Sequence, residues 1–269
     1  MFVAVRECGD WGKIMFNNVS SGKSQIDSLT GLSVDSSAAL RRGKSRYLGL
    51  ETRSLLKVFQ GIQAESCPYQ YNFHMHTTHS DGQLSPLQLI EQAIEIGLKG
   101  FAITDHHSVA GYWAVKEWLQ AQRWQAAMPL SNPRLWVGVE ITAELLDIEV
   151  HILGYGFNPE HNSLRPYLQG RSVKGSAFQA QAVILAIQEA GGLVVLAHPA
   201  RYRLGAQVLV PEAVKLGIDG VETYYAYDNP SPWRCTPKQT MEVLALAETY
   251  NLLSTCGTDT HGLNLLQRI

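Results

Sequence analysis

The chain has 269 residues, of which 45% are hydrophobic, and a formal net charge of −2. This length and composition allow one sizeable hydrophobic core and favour a single domain over two independent ones. The nearly neutral charge excludes a broad basic surface for duplex DNA. A membrane partner is also not expected, because no apolar stretch approaches the ~20 residues that a spanning helix requires.

The amino-terminal part of the sequence differs from the rest. Residues 1–46 mix Ser, Gly, Asp and Asn with scattered apolar positions, which predicts a poorly ordered polar leader. In residues 47–68, apolar side chains recur at helical spacing between Leu48 and Ile62, and this pattern indicates a lead-in helix that packs on the domain formed by residues 69–269.

The sequence favours a reduced, cytoplasmic location. The amino terminus has no continuous apolar signal segment, since charged residues interrupt it. The cysteines show neither paired metal spacing nor a disulfide pattern; they are Cys8, Cys67, Cys235 and Cys256.

Short apolar runs typical of β-strands recur along residues 69–269. Seven such runs are found, in the segments 71–82, 101–106, 135–140, 148–157, 192–198, 217–223 and 252–261. Helix signals lie between several of them. Ser85, Pro86 and Gln88 combine an N-cap, a first-turn proline and a capping-box glutamine, and Thr236 and Pro237 begin a similar pattern. Two further segments have helical patterns, 109–126 and about 172–190. This alternation predicts an α/β fold with parallel strands closed into a barrel.

Residues of metal-ligand type stand at or just past the ends of these runs. There are nine of them: His74, His76, Asp81, His106, Glu140, His151, His198, Asp259 and His261. Because the carboxyl ends of parallel barrel strands meet at one rim, we expect these side chains to converge. Burying six imidazoles without partners would cost stability. The pattern therefore predicts a multinuclear metal site, whereas His79 and His161 fit solvated loop positions.

The donor set indicates which metals and which chemistry to expect. Mixed imidazole and carboxylate ligands suit manganese, zinc or iron, and they argue against calcium. Two or three divalent cations would neutralise an anionic phosphate ester, lower the pKa of a bridging water and steady the leaving oxygen. Glu140 is the best-placed bridge between two metals, and Glu140, His198 and Asp259 are the predicted catalytic residues. Asp105 or Asp259 could orient a ligand imidazole or transfer the leaving-group proton.

Several strings of the sequence resemble a known family. They are His-Met-His-Thr-Thr-His-Ser-Asp-Gly at 74–82, Ile-Thr-Asp-His-His-Ser-Val-Ala-Gly at 103–111, Gly-Val-Glu-Ile-Thr at 138–142, Val-His-Ile-Leu-Gly-Tyr at 150–155, Leu-Ala-His-Pro at 196–199 and Gly-Thr-Asp-Thr-His-Gly at 257–262. Over about residues 69–263 the chain resembles the PHP (polymerase and histidinol phosphatase) superfamily.

The resemblance implies a distorted seven-stranded (β/α)7 TIM-like barrel that holds up to three metals. It implies a first metal held by His74, His76, Glu140 and Asp259. A second would be held by Glu140, His151 and His198, and a third by Asp81, His106 and His261.

Substrate contacts are expected from residues near this rim. Arg201 follows His198 closely and could bind a non-scissile phosphate with a bidentate guanidinium, while Arg171 is a second candidate for an anion. The aromatic cluster of Tyr224, Tyr225 and Tyr227, just past the sixth run, could stack on a base or cap the rim. His107, next to a predicted ligand, could contact a ligand or the substrate.

The resemblance is to stand-alone bacterial PHP phosphoesterases, which implies a small phosphorylated substrate. The expected reaction is hydrolysis of a nucleotide ester, for example a nucleoside 3′,5′-bisphosphate, or of a short RNA end, by a hydroxide that bridges metals. A histidinol-phosphate or other small phosphomonoester phosphatase, a catalytically silent PHP scaffold and hydrolysis of a C–N bond remain alternatives. The sequence leaves the metal identity and the oligomeric state open.

Overall fold

The computed structural model describes residues 48–124 and 133–269, so the predicted leader lies outside the described residues. Within them, a single seven-stranded sheet pairs each strand with the next along the chain. The strands are β1 (Tyr71–Asn72), β2 (Gly100–Ile103), β3 (Arg134–Leu145), β4 (Ile148–Tyr155), β5 (Leu193–Leu196), β6 (Gly220–Tyr224) and β7 (Leu253–Cys256).

Helices connect most of these strands. They are α1 (Leu50–Phe59), α2 (Pro86–Ile96), α3 (Ala110–Trp124), α4 (Ala180–Glu189), α5 (Ala206–Leu216) and α6 (Pro237–Thr249), with short 3₁₀ helices at Ala64–Ser66, Asn162–Tyr167 and Gly175–Phe178. None of the described helices is both long enough and apolar enough to cross a membrane.

One of the two predicted N-cap patterns forms its side-chain hydrogen bonds, whereas Thr236 precedes α6 without a side-chain cap. The Ser85 hydroxyl accepts a hydrogen bond from the Gln88 amide, and the Gln88 side chain accepts one from the Ser85 amide, so the predicted capping box begins α2. Gly97 ends this helix with φ 81°, a left-handed conformation that glycine adopts without strain. The sequence analysis missed α5, which carries Pro211 in its interior.

Backbone hydrogen bonds between the segment that follows β1 and the end of β7 with the residues beyond it nearly close the sheet into a barrel. The Phe73 amide donates to Cys256 O at 3.0 Å, the Asp259 amide to His74 O at 2.8 Å, and the His76 amide to Thr260 O at 3.1 Å. The predicted seven-stranded barrel is confirmed. This closure also brings the segment that carries Asp259 alongside His74 and His76.

One strand differs from the expected parallel arrangement. β4 pairs antiparallel with both β3 and β5, so the prediction of parallel neighbours was wrong for this strand. The cause is a two-residue hairpin at Leu146 and Asp147, whose φ values of 54° and 57° are typical of a type I′ turn. An antiparallel strand begins at the rim where its parallel neighbours end. His151, near the start of β4, therefore still reaches the predicted rim.

The helix predicted between Leu48 and Ile62 is present as α1, and it packs against barrel residues. The Phe59 ring makes edge contacts with Phe73 and Tyr155, at centroid distances of 4.9 and 5.4 Å. The Thr52 hydroxyl donates to Gly156 O at 2.6 Å. These contacts attach α1 to β4 and to the segment that follows β1.

The left-handed backbone conformation in the turn between β3 and β4 can be tested by mutation. We expect Leu146→Asn to raise the free energy of unfolding by about 1 kcal/mol, because asparagine tolerates the left-handed conformation that costs leucine energy. Urea denaturation measures the change. Leu185→Asn is the matched control: it replaces another exposed leucine, but in the ordinary helical backbone of α4, where asparagine should be slightly destabilising. Equal effects at the two positions would contradict the hairpin assignment.

Candidate metal centre

Four buried side chains form the inner part of the site. They are His74, His76, Glu140 and Asp259, and their ligand atoms lie within 4.8 Å of one another. Glu140 Oε2 is 3.0 Å from His74 Nε2 and 3.1 Å from His76 Nε2, and Asp259 Oδ1 is 3.3 and 3.2 Å from the same two nitrogens.

These residues fit a cation. The His76 Nε2 atom is buried and makes no hydrogen bond of acceptable angle, although two carboxylate oxygens lie close to it. Ligand atoms about 2.1 Å from a tetrahedral metal lie roughly 3.4 Å from one another, close to the separations seen here. The arrangement therefore suits atoms that share an ion better than atoms that share a proton.

Glu140 links the inner group to further imidazoles. It lies in the middle of β3, and its side chain is only 1% exposed. Its Oε1 atom is 2.8 Å from His151 Nδ1 and 3.5 Å from His198 Nε2, whereas Oε2 faces the inner group and lies 3.5 Å from His106 Nε2. The two oxygens thus face different sets of imidazoles, as a bridging carboxylate requires.

The grouping of Glu140 with further imidazoles differs slightly from the one that the resemblance implied. His106, Glu140 and His151 offer ligand atoms within 4.8 Å of one another and could hold an ion. His198 lies at the edge of this set, at the 3.5 Å separation from Oε1. His198 also has an unusual backbone, with φ 28°.

A third group lies at the solvent side of the site. It contains His76, Asp81, His106 and His261. Asp81 Oδ2 is 3.2 Å from His261 Nε2 and 3.8 Å from His106 Nε2, and the Asp81 side chain is 54% exposed. With this group, all nine residues selected from the sequence lie in one connected cluster.

A buried carboxylate that the sequence analysis did not assign to the site orients two of these residues. Glu222 Oε1 lies 2.9 Å from His74 Nδ1, and Glu222 Oε2 accepts a hydrogen bond from the His198 amide at 2.9 Å. A carboxylate on one imidazole nitrogen fixes the ring so that the other nitrogen faces the metal side. Glu222 stands near the end of the predicted sixth strand, and that position was the available signal.

Asp259 is oriented in a similar way. Its Oδ2 atom accepts hydrogen bonds from Tyr225 Oη at 2.6 Å, Arg268 Nε at 2.8 Å and Arg201 Nη1 at 3.3 Å. These donors leave Oδ1 to face His74 and His76. The contacts of Tyr225 and Arg268 with Asp259 were missed, and nothing in the sequence around Arg268 indicates its contact.

The electrostatics of the cluster keep its carboxylates charged. Burial raises the pKa of Glu140, but the neighbouring His74 and His151 outweigh burial and bring that pKa well below its usual range. Burial lowers the pKa of His76, yet the adjacent carboxylates of Asp259 and Glu140 raise it to about 9. Burial also lowers the pKa of His106 to about 4. The site therefore combines negative charge with a neutral imidazole, which favours divalent cations.

The predicted substrate residues fall in different places. Arg201 lies at the site, 45% exposed, with its guanidinium 3.3 Å from Asp259 Oδ2 and 3.4 Å from Tyr225 Oη. Arg171 is exposed, outside the cluster. Asp105 does not orient an imidazole as one alternative expected; its carboxylate accepts hydrogen bonds from Thr77 and Ser80.

Two of the expected substrate contacts lie in buried positions with other partners. His107 Nδ1 is 3.2 Å from Tyr167 O, and His107 Nε2 accepts a hydrogen bond from the Thr142 amide, so both ring nitrogens are already engaged. Tyr224 is buried in the hydrophobic cluster that includes Trp233. A register shift between Glu222 and Tyr224 interrupts the regular alternation of β6, and Tyr225 is the tyrosine that reaches Asp259.

Two known enzymes are similar to this chain in sequence. The 5′-3′ exoribonuclease Rnm of Salmonella typhimurium is 27% identical over 190 residues, which cover 65% of this chain and 61% of that protein. The phosphoribosyl 1,2-cyclic phosphate 1,2-diphosphodiesterase of Eggerthella lenta is 25% identical over 270 residues, which cover 71% of this chain and 94% of that protein. This chain thus spans less than two thirds of the length of the exoribonuclease.

Solved structures show the same fold. A candidate metal-dependent phosphoesterase of Bifidobacterium adolescentis matches with a TM-score of 0.56 and 24% identity, over 72% of this chain and 89% of that one. An amidohydrolase of Chromobacterium violaceum matches with a TM-score of 0.57 and 18% identity, over 72% of this chain and 88% of that one. At these identities the structural matches establish the fold alone.

The match to a family is more extensive. The PHP domain model matches residues 72–257, which include the predicted ligands from His74 to His198 and most of the barrel. Because this match covers more than half of the sequence, the chain belongs to the PHP domain family.

Proposed function

We propose that this chain is a metal-dependent phosphoesterase that hydrolyses a phosphate ester of a nucleotide, such as a nucleoside 3′,5′-bisphosphate, or of a short RNA end. The observation that carries the proposal is the position of Glu140, whose two oxygens face different imidazoles within one cluster. Such a carboxylate can hold two cations side by side, and paired cations accelerate phosphate ester hydrolysis.

The chain's own residues would divide the metals among them. In the proposed assignment, His74, His76, Glu140 and Asp259 hold the inner metal, and Glu140 with His151 and His198 holds the second. Asp81, His106 and His261 hold the third. When bound, the metals neutralise the ester and lower the pKa of water. Glu222 and Arg268 keep His74 and Asp259 in place for this task.

Two observations support a nucleotide or an RNA end as the substrate. The names of the relatives include an exoribonuclease and a cyclic phosphate diphosphodiesterase, both of which point to phosphate esters. The outer group is also open to solvent, as the exposure of Asp81 shows.

Arg201 is the proposed contact to a non-scissile phosphate. Its guanidinium is partly exposed beside Asp259 and is therefore within reach of both the metal cluster and a bound anion. An arginine suits this role because its planar donors match phosphate oxygens.

Activity should depend on the metal ligands. We expect protein stripped of metal and reloaded with manganese, iron or zinc to release phosphate from a nucleoside 3′,5′-bisphosphate, and His76→Ala to lower kcat/KM at least about 100-fold. His79→Ala is the matched control, because this exposed histidine lies on the same loop outside the three ligand groups, and it should keep full activity.

The same screen separates the alternatives. If the protein hydrolyses histidinol phosphate but neither the nucleotides nor 5′-phosphorylated RNA, the substrate is a small monoester instead of the proposed one. Metal analysis showing no bound ion in the purified and reloaded protein would instead favour a catalytically silent scaffold.

Arg201→Ala should selectively slow the hydrolysis of substrates that carry a second phosphate. We expect kcat/KM for the bisphosphate to fall about 10–100-fold, mostly through KM, because a hydrogen bond to a charged group contributes about 1.5–3 kcal/mol. The fall should be much smaller for p-nitrophenyl phosphate, which has no second phosphate. Arg203→Ala, at an exposed position two residues further on, is the control and should be neutral. A similar loss on both substrates would assign Arg201 to the support of Asp259 instead.

A further inference from the structure

Asp105 is a buried carboxylate beside the metal centre that the proposed chemistry does not use. It is fully buried just after β2, and its oxygens accept three hydrogen bonds from the segment that follows β1. Oδ1 accepts from the Thr77 amide at 2.6 Å and from the Ser80 hydroxyl at 2.9 Å, and Oδ2 accepts from the Thr77 hydroxyl at 2.7 Å. Asp105 therefore binds the backbone and side chains of one short turn.

This turn carries an outer ligand. The Thr77 carbonyl accepts from the Ser80 amide at 3.0 Å and from the Gly82 amide at 3.1 Å, so residues 77–82 fold back tightly and place Asp81 near the end. A Cβ atom at Gly82 would collide with the His76 carbonyl, which shows how closely the turn returns to the strand segment. Asp81 itself is mostly exposed, so its position depends on the turn rather than on packing of its own side chain.

The space around Asp105 is shaped for a carboxylate. Gly111, the second residue of α3, lies so close that a Cβ atom there would collide with Asp105 Oδ2 and come within 3.0 Å of the Thr77 hydroxyl. The amino-terminal end of a helix also favours nearby negative charge. The Asp105 carboxylate thus fits closely into its position, and hydrogen bonds and the helix end compensate its charge although it is buried.

We propose that Asp105 is a positioning residue that holds the turn at residues 77–82 so that Asp81 faces His106 and His261, and that it thereby controls occupancy of the outer metal group. The inference rests on the proposed function in that it concerns the same metal cluster. Under this proposal, Asp105 and Glu222 are both buried carboxylates outside the proposed ligand set, but they have different tasks. Glu222 contacts the inner ligand His74, and Asp105 contacts the turn that carries the outer ligand.

Metal counting tests this assignment directly. The full chain is reloaded with Mn²⁺, and bound and free Mn²⁺ are measured by electron paramagnetic resonance during a titration. For Asp105→Asn we expect the weakest class of bound Mn²⁺ to lose affinity about 10–100-fold while the tighter ions are retained. Thr77→Val, which keeps the amide donor but removes the hydroxyl, should shift the same class in the same direction and guards against misfolding of the first variant.

Glu222→Gln is the matched control. It also changes a buried carboxylate to an amide, but one that contacts His74 and the His198 amide, so it should weaken the tighter ions instead. If Asp105→Asn and Thr77→Val bind Mn²⁺ as the unmodified chain does, or if they weaken every class equally, the proposal is wrong.

A double-mutant cycle separates positioning from general stability. Asp81→Ala removes the outer ligand itself. If Asp105 acts through Asp81, then adding Asp105→Asn to Asp81→Ala should change Mn²⁺ binding less than about twofold, whereas additive losses would overturn the inference.

The counts need no substrate, so the two proposals can fail separately. An unmodified chain that binds the outer ion but cleaves no ester would end the proposed function and leave the role of Asp105 intact. An active chain whose Asp105→Asn variant keeps all its metal would support the proposed function and overturn the role of Asp105.

Discussion

The buried charge of Glu140 is the constraint on which the rest of the site depends. A carboxylate almost without solvent is costly unless neighbouring charges compensate it. Here the compensation comes from the imidazoles of His74 and His151, on two other segments of the barrel. The backbone holds Glu140 from both sides, because Glu140 forms a β-bridge with His106 on one side and pairs with Leu153 on the other. The barrel and the metal centre thus explain each other: the fold gathers the ligands, and the ligands make the buried carboxylate tolerable.

Much of this could be predicted from local sequence. The strands follow from short apolar runs, and α2 follows from a capping box that requires only Ser85 and Gln88. The nine ligands could be selected because they stand near the predicted apolar runs, although Glu140 and His151 lie within the longer strands β3 and β4. The direction of β4 could not be predicted in this way, since parallel and antiparallel strands share the same local pattern. The turn at Leu146 and Asp147 also lacks the Asn-Gly signal that usually marks such hairpins.

The residues that orient the ligands were harder to find, because their roles arise only from tertiary contacts. Arg268 reaches Asp259 across a loop, and Glu222 reaches His74 across the barrel interior. Tyr224 was named as a substrate contact, but β6 shifts register between Glu222 and Tyr224, and Tyr225 is the tyrosine that contacts Asp259. The helix α5 was missed since Pro211 reads as a helix breaker, although Leu209, Val210 and Ala213 form a buried face.

The short hairpin that joins β3 to β4 has a consequence for folding fidelity. It supplies both Glu140 and His151, and Thr142 is paired directly with His151. A slip of one residue in this pairing would turn His151 to the opposite face of the ladder and separate it from Glu140. Ions that bind only the correctly paired state would lower its free energy relative to slipped competitors. Metal binding would thus favour the correct alignment of these two strands.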